Sequence, residues 1–170
     1  MDYKVSGKTM IFSHTFNQEF SPEILTKMKK MKSLKFSEGS DGLDFFLNEF
    51  DQRLDNLPNN IKNLYLGDCF NQPIDNLPIG IECIYFGGRF NQPVDFLPPT
   101  LKIIEFGRCF NQSIDNLPES VETIFLDSNF NQNIQNLPKN LKKITFSPRY
   151  RLLQKEIPPT NASICYKYKL

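Results

Sequence analysis

The chain has 170 residues with 20 Lys and Arg against 19 Asp and Glu, so its formal net charge of +1 provides no global field to recruit nucleic acid or an anionic membrane. Its 8 Gly and 12 Pro lie far from collagen-like or low-complexity usage, whereas 16 Phe and no Trp point to one aromatic core position used repeatedly. No apolar run reaches the roughly 18 residues of a membrane span, and the start, Met1 to Val5, lacks the apolar stretch of a signal peptide, so a cytoplasmic location is expected.

Met10-Ile11-Phe12 followed by Phe16-Asn17-Gln18 reads as the first strand and the bend after it. Ser21-Pro22-Glu23 then supplies an N-cap, a proline at the first helical position and an acid in the first turn, predicting a short helix over 21–32. Met31, Leu34 and Phe36 give a second inward pattern, after which Asp41-Gly42 marks a turn and residues 43–50 a second helical excursion.

From there the chain repeats. Phe-Asn-Gln stands at Phe70, Phe90, Phe110 and Phe130, each 20 residues after the last. Around it Ile61, Leu64, Leu66, Phe70, Ile74 and Leu77-Pro78 recur in the next three coils, and Ile144, Phe146, Ile164 and Tyr166 carry the frame toward the C-terminus. A fixed period of this length marks a solenoid of stacked coils, since one coil buries too little apolar surface to offset its own ordering. Alternation at Leu64 and Leu66 makes a short strand with residues 63 and 65 facing out, and the recurring prolines exclude a long helix between strands. The expectation is one domain over 1–170: irregular coils and a cap to residue 50, regular repeats over 51–147, and a C-terminal coil and cap over 148–170. It is a β-rich, right-handed coil stack with about eight short parallel strands.

These residues resemble the FNIP-repeat family, a leucine-rich-repeat relative found mainly in social amoebae and giant DNA viruses. Its hallmark F-N-x-P-I-x-x-L-P stands here as Phe70-Asn71-Gln72-Pro73-Ile74-Asp75-Asn76-Leu77-Pro78, and the likeness covers residues 50 to 147. The resemblance implies a parallel-stranded solenoid used for protein binding, in the host cytoplasm if viral. Viral relatives often carry an N-terminal F-box that recruits a ubiquitin ligase, for which the few residues before the first expected strand leave no room.

Several columns of the repeat are candidate sites. Asn71, Asn91, Asn111 and Asn131 are expected to form a ladder satisfying backbone groups in the bend after each strand. Lys62, Glu82, Lys102, Glu122 and Lys142 alternate in sign coil by coil, which sets the register between neighbours about 4.8 Å apart. The outward column Tyr65, Tyr85, Glu105 and Phe125, flanked by Cys83 and Ile103, is the expected partner-binding surface on the concave side, with Arg89 and Arg108 at its rim. Early lysines from Lys27 to Lys35 face a following acidic block, Glu38 to Asp55, so they are expected to neutralise one another rather than bind nucleic acid.

Catalysis finds little support. His14 is the single histidine, and no phosphate-binding glycine loop is present, Gly87-Gly88 reading as a turn. Cys69 and Cys109 share a column but lie two coils apart, roughly 9–10 Å, which is too far for a disulfide. Reduced thiols and no metal or cofactor are expected. The sequence therefore reads as a non-enzymatic scaffold for a protein partner, with a structural or self-assembling component as the alternative and an enzyme a distant third. A monomer is expected, a dimer through the C-terminal strand edge being the competing arrangement.

Overall fold

A computed structural model describes residues 2–36, 48–152 and 156–167 of the chain. One nine-stranded sheet runs through it in sequence order. Its strands are β1 (Tyr3–Ser6), β2 (Thr9–Phe12), β3 (Ser33–Lys35), β4 (Asn63–Tyr65), β5 (Cys83–Tyr85), β6 (Ile103–Glu105), β7 (Thr123–Leu126), β8 (Lys143–Phe146) and β9 (Ser163–Tyr166). From β2 to β9 every pairing is parallel, and equivalent residues face each other, as in Leu64 against Ile84 against Ile104. This is a leucine-rich-repeat-like coil stack.

The coil's interior is a set of stacked columns. Leu64, Ile84, Ile104, Ile124 and Ile144 are fully buried in the centre of the strands. Behind them Phe16, Phe50, Phe70, Phe90, Phe110 and Phe130 form one file of rings, with successive centroids 5.9–6.3 Å apart. Each ring also packs within its own coil where an aromatic partner exists, as Phe86 on Phe90 at 3.8 Å and Phe106 on Phe110 at 3.7 Å. Glycine is required where coils approach most closely. A Cβ on Gly87 would collide with the Gly67 carbonyl, and one on Gly107 with that of Gly87.

The bend after each strand is held by a directional ladder. The side-chain Oδ1 of each member accepts the backbone N–H of its counterpart in the next coil: Asn17 from Asp51 at 2.9 Å, Asp51 from Asn71 at 2.8 Å, Asn71 from Asn91 at 2.9 Å, Asn91 from Asn111 at 2.8 Å and Asn111 from Asn131 at 2.9 Å. The neighbouring glutamines point back one coil. Gln92 Nε2 donates to the Asn71 carbonyl and Gln112 Nε2 to that of Asn91, at 3.0 and 3.1 Å. Backbone groups that the turning chain would leave unpaired thus find partners in the adjacent coil.

Several expectations need amending. A strand precedes the one expected first: β1 pairs antiparallel with β2 through a two-residue turn in which Gly7 holds a left-handed φ of 57°. The first helix, α1 (Pro22–Met28), stops short of Lys32. Ser21 caps it through a hydrogen bond from Ile24 N–H, and Lys29 ends it. The chain must then extend, because Lys32 N–H and Ser33 N–H both bond to the Lys8 carbonyl and open β3. The helix expected over 43–50 falls outside the described residues up to 47, and Asn48 to Phe50 are not helical. A helix that was not expected, α2 (Pro148–Leu152), follows β8 and places Tyr150 in the phenylalanine file, 5.6 Å from Phe130, where its hydroxyl donates to the Gln132 carbonyl at 3.1 Å.

Candidate protein-binding face

Strand alternation turns Asn63, Cys83, Ile103 and Thr123 outward in one column and Tyr65, Tyr85, Glu105 and Phe125 in the next. All eight are half-buried rather than openly exposed, because each side chain is partly covered by the one in the adjacent coil. Tyr65 and Tyr85 make the closest pair, their rings parallel to within 3° and 4.6 Å apart. Burial pushes the Tyr85 phenol above its ordinary value, with Cys83 and Tyr65 adding to the effect, and also pushes the Cys83 thiol up. Burial thus favours the neutral form of both groups.

The ring spacings give the stack its curvature. Within the regular coils, where equivalent rings share one orientation, their separation is the displacement from coil to coil at that depth; the first, irregular pair, Phe12 and Phe36, lies closer at 4.7 Å. The displacement is 4.6 Å for Tyr65 and Tyr85 outside the sheet, 5.6 Å for Phe86 and Phe106 just inside, and 6.1 Å for Phe70 and Phe90 farther back. The coils converge toward the outward strand face, which is the concave side.

The alternating charge column borders this face, one residue before each strand. Lys62 pairs with Glu82 at 2.9 Å and Lys142 with Glu122 at 2.6 Å. Hydrogen bonds from these lysines hold the Glu82 and Glu122 carboxyls below their usual range, while Lys102 influences both at longer range only. The ladder is thus two direct pairs with a bridging cation.

The two arginines do not act together. Arg108 lines a shallow depression of about 300 Å³ with Asp68, Asp127 and the glycines 87, 88 and 107. Arg89 is exposed outside it, in a turn with Gly88, and its backbone N–H bonds to the Asp68 carbonyl. The expected glycine turn is therefore Gly88-Arg89, and Gly87 serves the close approach between coils. Of the early charge blocks, Lys27 pairs with Glu23 at 2.7 Å, and Glu38, Asp41 and Asp44 lie outside the described residues. Among the described residues the four cysteines are free and half-buried, no three acidic, histidine or cysteine side chains converge as a metal site would need, and no helix is long and apolar enough to cross a membrane.

A curved stack of short parallel strands with periodic core columns defines a repeat solenoid of the leucine-rich-repeat type. The chain belongs to the FNIP-repeat family, whose repeat model matches residues 50–76, 70–109 and 110–149, more than half of its length. Among solved structures it is similar to that of CroV588, described as a novel circular LRR protein, at 22% identity and a TM-score of 0.42, over 97% of this chain and 34% of that one. No curated protein matches it.

Proposed function

We propose that this chain is a non-enzymatic scaffold that binds a protein partner through its concave strand face. The observation carrying this reading is the stacked Tyr65–Tyr85 pair, two parallel rings held in register on the inner curve. Rigid aromatic side chains lose little freedom on binding and keep a polar tip for hydrogen bonding, the properties of binding hot spots. Ile103 and Phe125 continue the surface across two more coils, and Glu105 gives it one charged group. Membership of a repeat family fits a scaffold role, and four free thiols fit a reducing, cytoplasmic-type compartment. The test is affinity capture from the native cell with the wild-type chain and with Tyr85→Ala, both first shown to melt alike. Loss of a captured protein in the variant is the expected result; equal capture by both would refute this face.

Self-association is a second reading, favoured by β9, where Ile164 is 40% and Tyr166 is 38% exposed at a sheet edge. Light scattering across a concentration series separates the two. A monomer at every concentration is expected, and a stable dimer lost on changing Ile164 and Tyr166 to serine would favour the second.

A further inference from the structure

We infer that a second docking site, independent of the strand face, lies on the turn-rich edge of the coils around Phe96 and Ile79, and that it fits a basic protein segment carrying an apolar anchor. In a repeat array the fold asks for the same residue in every coil, so a large apolar departure in an exposed column serves something other than folding. The column of Phe96 otherwise holds Asn56, Asn76, Asn116 and Asn136. There the amide reaches the aspartate of the preceding coil, Asn76 to Asp55 at 3.3 Å and Asn116 to Asp95 at 2.8 Å. Phe96 cannot make this bond and is 72% exposed.

Ile79 breaks a second column in the same way. It is 67% exposed where other coils carry Asn59, Glu119 and Lys139, and Pro99 follows it one coil on. The coil of Phe96 is tied to that of Ile79 by Thr100, whose Oγ1 donates to the Ile79 carbonyl. Phe96 and Ile79 are the two most exposed large apolar residues among the described residues, the others being Val5, Ile164 and Tyr166 on the first and last strands.

The surroundings select the occupant. Asp75, Asp95 and Asp115 run up the edge beside Phe96, one per coil. Asp95 accepts from Asn116, and Asp115 from the backbone of Gln135 and Asn136. Asp75, which an asparagine in place of Phe96 would reach, has no hydrogen-bond partner among the described residues. The nearby cations are already engaged, Arg53 with Asp55 and Lys139 with Glu119. An apolar knob beside a row of carboxylates, of which Asp75 has no hydrogen-bond partner among the described residues and only the field of Arg53 upon it, attracts a lysine- or arginine-bearing segment and repels acidic segments and anionic lipid.

The full chain is titrated by fluorescence anisotropy with a short labelled peptide alternating lysine with leucine and phenylalanine. Controls replace its lysines by glutamate, or its apolar residues by serine. The first peptide is expected to bind, and each control to bind at least about tenfold more weakly. Phe96→Asn restores the repeat and gives Asp75 a donor, so it should melt no lower than wild type yet lose about tenfold or more in affinity. Ile79→Asn is expected to weaken the same peptide, Asp75→Asn to flatten the salt dependence, and Tyr85→Ala to change nothing. Undiminished binding to Phe96→Asn, binding of the glutamate peptide as tightly as the basic one, or an affinity weaker than about 1 mM overturns the inference. Concentration-dependent sedimentation abolished by Phe96→Asn would make the occupant a second copy of the chain and would also overturn it.

Discussion

Asn91 offers a perturbation whose control is already built into the chain. Its Oδ1 accepts the Asn111 N–H at 2.8 Å and Gln112 Nε2 at 3.2 Å, while its own N–H bonds to Asn71 Oδ1 and its carbonyl to Gln112. Asn91→Ala removes only the first two bonds and leaves a half-buried backbone N–H without an acceptor, at a cost of about 1–3 kcal/mol, toward the lower end because water has partial access. Asn91→Asp keeps an acceptor oxygen in place. Asp51 fills this very role one coil below Asn71, so the aspartate variant should lie within about 0.5 kcal/mol of wild type at neutral pH. Urea unfolding with unchanged slope measures the difference, and amide exchange at Asn111 should quicken in the alanine variant alone. An aspartate variant as unstable as the alanine one, or an Asn111 amide indifferent to both, would show that the ladder does not carry the bend.

Phe90, fully buried between rings on either side, should cost about 3–5 kcal/mol as Phe90→Ala, whereas half-buried Tyr85→Ala should move the melting curve far less; equal loss would reverse the assignment of faces. Tyr150→Phe keeps the terminal ring and loses one hydrogen bond, so calorimetry should record about 0.5–1.5 kcal/mol. Glu82→Lys sets four like charges in successive coils, Lys32 standing one coil before Lys62, and should destabilise more at low salt than at high salt, and adding Lys62→Glu should recover part of the loss by re-forming the direct pair. The carboxyls of Glu82, Glu119 and Glu122 titrate below their unfolded value of 4.5, so their contribution is present above that pH and fades as acid carries it through the lower folded values; a melting temperature that rises on acidification from pH 5 to 3 would contradict these pairs.

The coil was legible because its period never slips between Phe70 and Phe130, so spacing alone assigned strand, inward columns and bend. What spacing could not supply was direction. It placed the asparagines in one file but not the rule that each side chain serves the backbone of the coil after it, nor that the glutamines reach the coil before. Tyr150 was hidden because its triplet is Tyr-Arg-Leu and a proline-led helix interrupts the pattern, although the frame puts it 20 residues after Phe130. Strand β1 is too short and polar to announce itself, Gly7 being its sole signal. On the outward strand face, alternation placed the side chains but overstated their exposure, since ring-on-ring cover depends on the curvature. Phe96 and Ile79 stood in plain view as departures, a signal that appears only when columns are read for what breaks them.

The two inter-coil ladders differ in wavelength. The asparagine contacts look the same after every coil, whereas the charges at Lys62, Glu82, Lys102, Glu122 and Lys142 look the same only after every second one. Duplicating a single coil inside this gene would therefore keep all core and backbone contacts yet set two lysines or two glutamates side by side, while duplicating a pair would leave no mismatch at all. In such an array a change of length by one coil carries an electrostatic mismatch that a change by two coils avoids.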